Sequence, residues 1–237
     1  MAVYVYSITG SSHPRRLEGL GGVGDPPREL RTVEGGSLTA VVSDAPEPLR
    51  PKRRDLAAHH AVQERLMADG VVLPLRFGLT APDDEAVRAA LEERADEYRT
   101  RLRALRGCVE YHVKAAQQEE SMLRQILQQS EEARRLNEEI RSGADRPDLP
   151  LALGELVARE VQVRQNALAT RVVETLRPYA REERSSEPTG EDFVNVSFLV
   201  DHTDEEGFVS AERGLVDDLG DAFDVRVRGP LPAYSFV

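Results

Sequence analysis

The sequence predicts an α+β protein built from two small domains. Its 237 residues exceed one typical domain but fall short of two large ones. Short runs rich in β-branched and aromatic residues alternate with longer stretches whose apolar residues recur at helical spacing. A hydrophobic fraction of 40% can fill two modest cores, and a charged fraction of 31% indicates solvated helix faces. We therefore expect an N-terminal domain at residues 1–115 and a C-terminal domain at residues 116–237.

The first predicted domain combines five strands with two helices. The strands are expected at residues 3–9, 29–33, 38–43, 71–77 and 108–114, and the helices at residues 52–69 and 80–106. Gly35 and Gly36 separate the second strand from the third, which indicates a hairpin. The stretch between the first two strands is dense in glycine, serine and proline and is expected to be an exposed loop. This order resembles a ferredoxin-like sheet that carries an extra strand and has its helices on one face.

The second predicted domain is a small α/β unit, a modified ferredoxin-like arrangement with a long helical hairpin. Its helices are expected at residues 117–141 and 151–180, with a break at residues 143–150 between them. A polar linker at residues 181–190 follows, and strands at 193–200 and 223–227 then flank a helix that ends near residue 219. Thr203 and Glu206 have the spacing of a capping box at the start of this helix. The last residues, 229–237, are expected to form an extended tail.

Charge and composition exclude several classes of protein. The formal net charge of −11 would repel a phosphate backbone, so nucleic acid is excluded as a partner. The single cysteine, Cys108, permits neither an intrachain disulfide nor a paired-cysteine metal site, which is typical of a reducing cytosol. No run approaches the roughly 20 apolar residues that a bilayer span needs, and the first residues contain no basic leader. We therefore expect a soluble cytoplasmic protein without a lipid membrane partner.

One glycine motif matches the dinucleotide-binding fingerprint. Residues 19–24 read GLGGVG, and in that fingerprint the glycines let the backbone approach a pyrophosphate at a helix N-terminus. The fingerprint requires a strand directly before it and a helix directly after it. Here Asp25, Pro26 and Pro27 follow, and the preceding strand ends too early. The context favours a mobile loop, and a nucleotide-using enzyme remains the rival hypothesis that depends on this motif.

Two clusters have the spacing of metal ligands. His60 and Glu64 lie one helical turn apart, but the other histidines fall on separate predicted elements and supply no third ligand. Asp217, Asp218 and Asp221 resemble a magnesium box, yet no second acidic helix faces them in the predicted order. We therefore expect hydrogen bonding on a helix surface in the first case and a solvated helix end in the second. Neither cluster indicates a metal or any other cofactor.

The sequence contains no motif that indicates catalysis. The chain contains no GxSxG nucleophile elbow and no HExxH zinc motif. Cys108 falls in a predicted strand without a basic neighbour, which is typical of a small core residue. We expect no catalytic residue, and hence a protein that is not an enzyme.

Arg76 is the most conspicuous charge, because it interrupts an apolar predicted strand. Burying a guanidinium costs several kcal/mol unless a carboxylate or carbonyls satisfy it. The sequence favours a structural ion pair with the first helix over a direct contact with a partner. Pro74 in the same strand indicates a sheet edge, where another chain could dock.

Six segments are distinctive when they are taken together: YVYSI at residues 4–8, AVVSDAP at 40–46, LPLRFG at 73–78, VEYHVK at 109–114, VNVSFLV at 194–200 and GPLPAYSF at 229–236. As a set they resemble the gas vesicle protein F/L family. The matches run in order from one end of the chain to the other. The departures are Ser7 in place of a frequent glycine, Tyr111 and Leu231 in place of tryptophan, and Ala233 in place of proline. They leave open whether the chain is closer to F or to L.

The resemblance implies a two-domain protein that takes part in assembling gas vesicles, as an assembly factor or a minor vesicle component. Its partners would be the small, very hydrophobic major shell protein of the GvpA type and other accessory gas vesicle proteins. A charged chain can shield an apolar subunit and limit its aggregation during nucleation and growth, through a sheet edge or a helix groove. The acidic balance would keep the complex dispersed.

The predicted contact residues are apolar, aromatic or basic and lie beside prolines, in segments expected to be edges or extended. They are Leu73, Leu75, Arg76, Phe77, Tyr234 and Phe236. A rival hypothesis is a helical adaptor that scaffolds accessory proteins through the two long helices. An intermolecular seam between such helices would give a dimer and an intramolecular hairpin a monomer; we expect a monomer in isolation.

Overall fold

The chain forms two antiparallel sheets with helices, which confirms the predicted mixed class. The computed structural model describes residues 1–143 and 146–237; Ala144 and Asp145, in the break expected between two helices, lie outside the described residues. The chain divides into two units, of which the first contains Met1–Tyr111 with Gly229–Val237 and the second His112–Arg228. The domain boundary after residue 115 and the ferredoxin-like topology stay predictions.

The first unit contains all five strands of one sheet and three helices. Its elements are β1 (Val3–Gly10), β2 (Arg31–Gly35), β3 (Leu38–Asp44), α1 (Arg53–Asp69), β4 (Leu73–Pro74), β5 (Thr80–Ala81), α2 (Asp84–Glu93) and α3 (Ala95–Ala104). The strand order is β2-β3-β1-β4, with β5 paired to β1 beyond the end of β4, and every pairing is antiparallel. Since α1 connects β3 to β4 and both flank β1, these elements form a split β-α-β unit. The hairpin expected at Gly35 and Gly36 is confirmed.

Helices cover both faces of this sheet, so the expectation of helices on one face is wrong. The first seven residues of β1 and the first six of β3 are buried, and successive strand residues point to opposite faces. On one face Leu66 of α1 packs with Tyr4 and Tyr6. On the other face Leu91 of α2 lies against Gly35. The nearly unbroken apolar runs in β1 and β3 are the sequence signal for burial on both sides.

Gly35 is expected to tolerate no side chain, because α2 crosses β2 there. A Cβ at Gly35 would lie 2.7 Å from Leu91 Cβ and 3.1 Å from the Arg88 carbonyl oxygen. Gly35→Ala should therefore lower the free energy of unfolding by about 1–3 kcal/mol, the usual cost of overpacking. Gly10→Ala is the matched control, since a Cβ at Gly10 would meet no atom within 4 Å. Urea titration measures both variants, and equal unfolding midpoints would contradict this packing.

A β-bulge in β1 connects the sheet to α1 and to the segment after β4. The register with β3 shifts between Val5 and Ser7, which leaves Tyr6 as the extra residue. The Tyr6 carbonyl accepts hydrogen bonds from the Gln63 side chain and from the Leu75 N–H. The bulge therefore fixes the chain at the point where it leaves β4.

The glycine-rich loop between β1 and β2 packs against the core and is not the exposed, mobile loop that we expected. Val23 is fully buried, and its N–H donates to the Tyr6 hydroxyl at 2.7 Å. The N–H of Gly24 donates to Oδ1 of Asp55 on α1 at 3.2 Å. A Cβ at Gly22 would lie 2.6 Å from the Tyr6 hydroxyl oxygen. The glycines thus allow close approach of the loop backbone to Tyr6, and β2 follows the loop where a dinucleotide fold would place a helix.

The helix expected at residues 80–106 is divided at Arg94. Asp83 caps α2 by accepting a hydrogen bond from the Ala86 N–H at 2.8 Å. Arg94 then leaves the helical conformation, and its guanidinium pairs with Glu97 in the first turn of α3. In the sequence, Arg94 and Glu97 have the spacing of an ordinary ion pair on a helix surface. Spacing alone therefore does not indicate the break at Arg94.

The second unit contains the remaining helices and most of the second sheet. Its elements are α4 (Glu119–Gln129), α5 (Glu131–Arg141), α6 (Leu149–Leu176), β7 (Glu182–Ser185), β8 (Asp192–Asp201) and α7 (Glu205–Leu219). Strands β6 (Cys108–Gln117) and β9 (Phe223–Leu231) cross the boundary between the units, and the strand order is β7-β8-β6-β9. The polar linker expected at residues 181–190 therefore contains an edge strand.

Two local predictions for this unit are wrong. The single helix expected at residues 117–141 is divided at Ser130, whose hydroxyl accepts a hydrogen bond from the Ala133 N–H at 3.3 Å and caps α5. The capping box at Thr203 and Glu206 does not form, because α7 begins at Glu205 and its N-cap position, Asp204, makes no side-chain cap bond.

The apolar faces of α4, α5 and α6 pack against one another within the chain. The buried residues of α4, α5 and α6 form one cluster: Met122, Ile126, Ala133, Leu136, Leu149 and Leu156. The predicted helical hairpin is therefore a three-helix arrangement. Its packing is the intramolecular alternative, and the monomer in isolation stays a prediction.

Candidate functional site

A groove opens in the first unit beside β4, and we call it the β4 groove. Its volume is about 590 Å³. Ile8 and the segment at residues 73–79 line one side, and Tyr98 of α3 lines the other. Val237 also contributes to the lining. Two segments predicted to contact a partner, the one after β4 and the end of the chain, therefore meet at a single groove.

The segment that lines the groove arches away from the sheet between two backbone bonds to β1. The Leu75 N–H donates to the Tyr6 carbonyl at 2.9 Å, and the Val5 N–H donates to the Leu79 carbonyl at 3.0 Å. Pro74, which has no N–H to continue a ladder, ends the pairing. The strand expected at residues 71–77 is therefore limited to two residues, and the following chain presents side chains to the groove.

Arg76 is exposed, so the structural ion pair that we expected for it is wrong. Among residues 1–143 and 146–237, no carboxylate lies within 4.0 Å of its guanidinium. The chain turns outward after Pro74 and carries Arg76 into solvent, which removes the desolvation cost that an ion pair would offset. Leu79, three residues on, is 47% exposed, and Phe77 is half-buried. The groove thus combines exposed apolar surface with a guanidinium whose donors are available.

The opposite wall, formed by α3, is charged but internally paired. The Glu97 carboxylate forms ion pairs with the guanidinium groups of Arg94, at 2.8 Å, and Arg101, at 3.1 Å. The Arg94 guanidinium lies 5.1 Å from the centre of the Tyr98 ring. This wall therefore offers an aromatic surface framed by arginines that already have partners.

A buried aromatic cluster supports the groove from the opposite side of the segment. It consists of His59, at its centre, with Tyr4, Tyr6, Phe77 and Tyr234, whose ring centres lie between 5.7 and 6.4 Å from the His59 ring. Aromatic pairs at such distances add to the stability gained from burial. The cluster joins β1, α1, the groove segment and the last residues of the chain within the first unit.

A chain of hydrogen bonds sets the state of His59. The Gly78 N–H donates to the Tyr4 hydroxyl at 3.2 Å, and the Tyr4 hydroxyl is hydrogen-bonded to Nδ1 of His59 at 2.9 Å. Gly78 has a φ of 98°, a left-handed conformation that favours glycine. Nε2 of His59 is buried and has no hydrogen-bond partner among the described residues.

Burial shifts the pKa values of this cluster toward the neutral forms. It lowers the pKa of His59 to about 4, while the Leu75 carbonyl acts weakly in the opposite direction. Burial raises the pKa of Tyr234 to about 12, and it also raises the pKa values of Tyr4 and Tyr6. All four groups are therefore neutral at physiological pH.

The end of the chain is extended only as far as Leu231, where β9 ends, and not over all of residues 229–237 as we expected. After β9, Tyr234–Phe236 form a 3₁₀ turn, and Phe236 is 5% exposed. The buried carboxylate of Glu110 accepts hydrogen bonds from the Ser235 N–H at 2.8 Å and from its hydroxyl at 2.7 Å. Two motifs separated by 125 positions are thus joined, and the tail is part of the first unit.

The six predicted contact residues differ in accessibility. Arg76 is exposed, Leu75, Phe77 and Tyr234 are half-buried, and Leu73 and Phe236 are buried. The first three and Leu73 line the groove, whereas Tyr234 reaches it only through the aromatic cluster. Their role in binding stays a prediction.

The remaining clusters of the sequence lie apart from the groove. Nε2 of His60 lies 3.2 Å from Oε1 of Glu64, and both side chains are exposed. Asp218 pairs with Arg171 at 3.1 Å at the end of α7. Cys108 is partly buried, and its thiol donates to the Arg106 carbonyl at 3.7 Å. Within the described ranges, no three histidine, cysteine, aspartate or glutamate side chains form a group that could hold a metal.

Sequence reasoning missed several contributors to the groove. Leu79 follows directly after the segment that we singled out, and Val237 follows directly after the tail motif. Tyr98 is the aromatic residue of an otherwise charged helix, and this contrast is the signal that could have indicated it.

The described part of the chain contains no helix with the length and apolar character needed to cross a bilayer. The family model described as "Gas vesicle synthesis protein GvpL/GvpF" matches residues 2–237. The chain belongs to the GvpL/GvpF family. It is 47% identical to gas vesicle protein F of Streptomyces sp. (strain CB03234) over the full length of both chains. It is 30% identical to gas vesicle protein L of the same organism, with 98% of this chain and 91% of the relative covered.

Two solved structures have the same fold as this GvpL/GvpF member. The crystal structure of GvpF from Anabaena sp. PCC7120 superposes with a TM-score of 0.85 at 21% identity, covering 99% of this chain and 97% of that one. The structure of GvpF from Microcystis aeruginosa gives 0.80 at 22% identity, with 99% and 98% covered. The resemblance inferred from six short segments is therefore confirmed. Membership in the GvpL/GvpF family supports a role in gas vesicle formation.

Proposed function

We propose that this GvpL/GvpF-family protein binds the hydrophobic gas vesicle shell protein at the β4 groove and limits its aggregation during nucleation and growth. It acts as an assembly factor or minor vesicle component in the cytoplasm, without catalysis or a cofactor. The observation that carries the proposal is the apolar surface of half-buried Leu75 and Phe77 and of exposed Leu79, in a chain with a formal net charge of −11. Such a patch framed by charge is typical of a protein interaction site.

The groove segment suits a hydrophobic partner for two physical reasons. Its backbone is anchored at Leu75 and Leu79, so little conformational freedom is lost when a partner binds. Its apolar side chains are supported from below by the aromatic cluster, in which Phe77 and His59 are 5.8 Å apart. A rigid apolar surface gains the free energy of burying a partner without first having to become ordered.

Arg76 supplies the polar contact of the proposed interface. Its guanidinium can donate to carbonyl or carboxylate oxygens of the bound segment and so fix its orientation. Arg94 and Arg101, the other arginines of the groove, already pair with Glu97, which leaves Arg76 as the groove cation without a carboxylate partner among residues 1–143 and 146–237.

Capture of the shell protein by the immobilised chain tests the proposal. Leu79→Asp places a charge in the proposed contact and should reduce capture by about tenfold or more. Arg76→Ala removes the orienting donor and should reduce it several-fold. Leu151→Asp is the matched control, because Leu151 on α6 is 68% exposed and belongs to the second unit.

Equal capture by wild type and Leu79→Asp, with unchanged circular dichroism, would contradict binding of the shell protein at the β4 groove. Equal losses of capture in Leu79→Asp and Leu151→Asp would indicate nonspecific hydrophobic adsorption and would also contradict binding at the β4 groove. Removal of the tail is not a suitable test, because it deletes the buried Phe236 and the partner of Glu110.

A helical adaptor is the second candidate function. It is favoured by two large apolar side chains that α6 leaves in solvent, Leu151 at 68% and Val163 at 61% exposure. An adaptor that scaffolds other accessory gas vesicle proteins would use this helix. The variant carrying Leu151→Asp and Val163→Asp should then lose those accessory proteins while it still captures the shell protein.

A further inference from the structure

A cleft of about 700 Å³ lies on the other side of α3 from the β4 groove, within the first unit. Arg99, Arg103 and Arg106 line one wall of this cleft, which we call the arginine cleft. Ser11 and Ser12, exposed residues at the end of β1, line the other wall. Helix α3 therefore separates an apolar groove from a basic cleft.

The carboxylates in the arginine cleft already have cationic partners. Oδ1 of Asp96 lies 2.5 Å from the Arg99 guanidinium, which also donates to the Ser37 hydroxyl at 3.1 Å. Asp69 accepts a hydrogen bond from the Arg16 N–H at 3.0 Å and pairs with its guanidinium at 3.5 Å. Neither Asp96 nor Asp69 forms an ion pair with Arg103 or Arg106.

Arg103 and Arg106 have no carboxylate within 4.0 Å in the part of the chain that the structure describes. The stretch from Tyr98 to Val109 contains four arginines and no aspartate or glutamate, in a chain with 42 acidic and 31 basic residues. Like charges one helical turn apart repel, and the negative end of the helix dipole offsets only part of that repulsion. An anionic ligand would neutralise this wall.

The buried histidine of the cleft is not part of the anion site. Nδ1 of His13 accepts a hydrogen bond from the Arg15 N–H at 3.1 Å, and its Nε2 donates to the Leu66 carbonyl at 3.0 Å. Both ring nitrogens are therefore occupied. The available donors are the guanidinium groups and the hydroxyls of Ser11 and Ser12.

The length of the basic wall favours a peptide over a single phosphate. Arg99 and Arg103 are separated by about 6 Å along the helix axis, and Arg106 extends the row past the end of α3. In this extended arrangement a single phosphate group would engage only part of the row. Carboxylates on successive turns of an acidic helix repeat with the same spacing of about 6 Å, and each can form a bidentate pair with a guanidinium.

We propose that the arginine cleft binds an acidic segment of a partner protein through guanidinium–carboxylate pairs with Arg99, Arg103 and Arg106. This site is separate from the β4 groove and does not depend on the function proposed for it. The protein would then engage an acidic partner on one side of α3 and an apolar partner on the other.

Fluorescence anisotropy of the full chain with a labelled alanine-rich helical peptide that carries glutamate at every fourth position tests this proposal. The glutamate peptide should bind and its glutamine counterpart should not, and added salt should weaken the binding. The double variant Arg103→Gln with Arg106→Gln should bind about tenfold more weakly. Arg50→Gln with Arg53→Gln is the control, with the same change in net charge at exposed positions of the first unit.

Equal weakening in both double variants would overturn the proposal, since only the net charge would then matter. Binding of the glutamine peptide as tight as that of the glutamate peptide would overturn it as well. Displacement of the peptide by inorganic phosphate, and not by chloride at equal ionic strength, would assign the cleft to a phosphate ligand instead. Shell-protein capture by the arginine double variant should match wild type, so failure here leaves the β4 groove proposal standing.

Discussion

Replacing Phe236 with alanine is expected to lower the free energy of unfolding by about 3–5 kcal/mol, the usual cost of removing a buried aromatic ring. Phe236 is 5% exposed, and the 3₁₀ turn that carries it is held by the Glu110 carboxylate through Ser235. The variant removes the ring and leaves a cavity, because the short turn cannot collapse without losing the bonds to Glu110. Urea or thermal unfolding followed by circular dichroism measures the loss.

Leu79→Ala is the matched control for Phe236→Ala. Leu79 belongs to the same unit and is 47% exposed, so its truncation should cost below about 1 kcal/mol. A Phe236→Ala variant as stable as Leu79→Ala would contradict the assignment of the tail to the core. With that result, Phe236 would again be a candidate for a surface contact with a partner.

Acidification from pH 7 to pH 4 is expected to remove up to about 3 kcal/mol of stability through His59 alone. Burial lowers the pKa of His59 to about 4 in the folded chain, against an ordinary value of 6.5. Between these values the unfolded chain binds the proton more readily than the folded chain. The contribution of His59 is therefore fully present above pH 6.5, decreases as the pH falls toward 4, and changes no further below it.

Comparison with His59→Phe isolates this contribution from that of the carboxylates. The variant keeps a ring in the aromatic cluster but cannot titrate, so its stability should fall less steeply over the same interval. Parallel pH curves for wild type and His59→Phe would contradict the buried, neutral state of His59.

Elements with strong local signals were predictable from the sequence. The hairpin at Gly35 and Gly36 and helix α1, which ends at Asp69 before Gly70, lie within two residues of their expected positions. The turn glycines and the helical spacing of apolar residues act over short distances, so the sequence carries them directly. The helix breaks at Arg94 and Ser130 were missed, because each depends on one residue leaving the helical conformation within a continuous amphipathic pattern.

The candidate site was predictable only in part. The segment after β4 was identified from its apolar residues and Pro74, and it does line a groove. The sequence did not indicate that the chain turns outward and exposes Arg76, because this depends on the bulge at Tyr6 and its bond to Leu75. The pairing of Glu110 with Ser235 joins residues 125 positions apart, and no local pattern contains such a contact.

Light scattering of the shell protein during its release from denaturant tests the central claim most directly. Equimolar wild-type chain should delay and reduce aggregation, Leu151→Asp should act like wild type, and Leu79→Asp should leave aggregation almost as in buffer. Suppression by Leu79→Asp equal to that by the wild-type chain would contradict the assignment of the β4 groove as the surface that receives the shell protein.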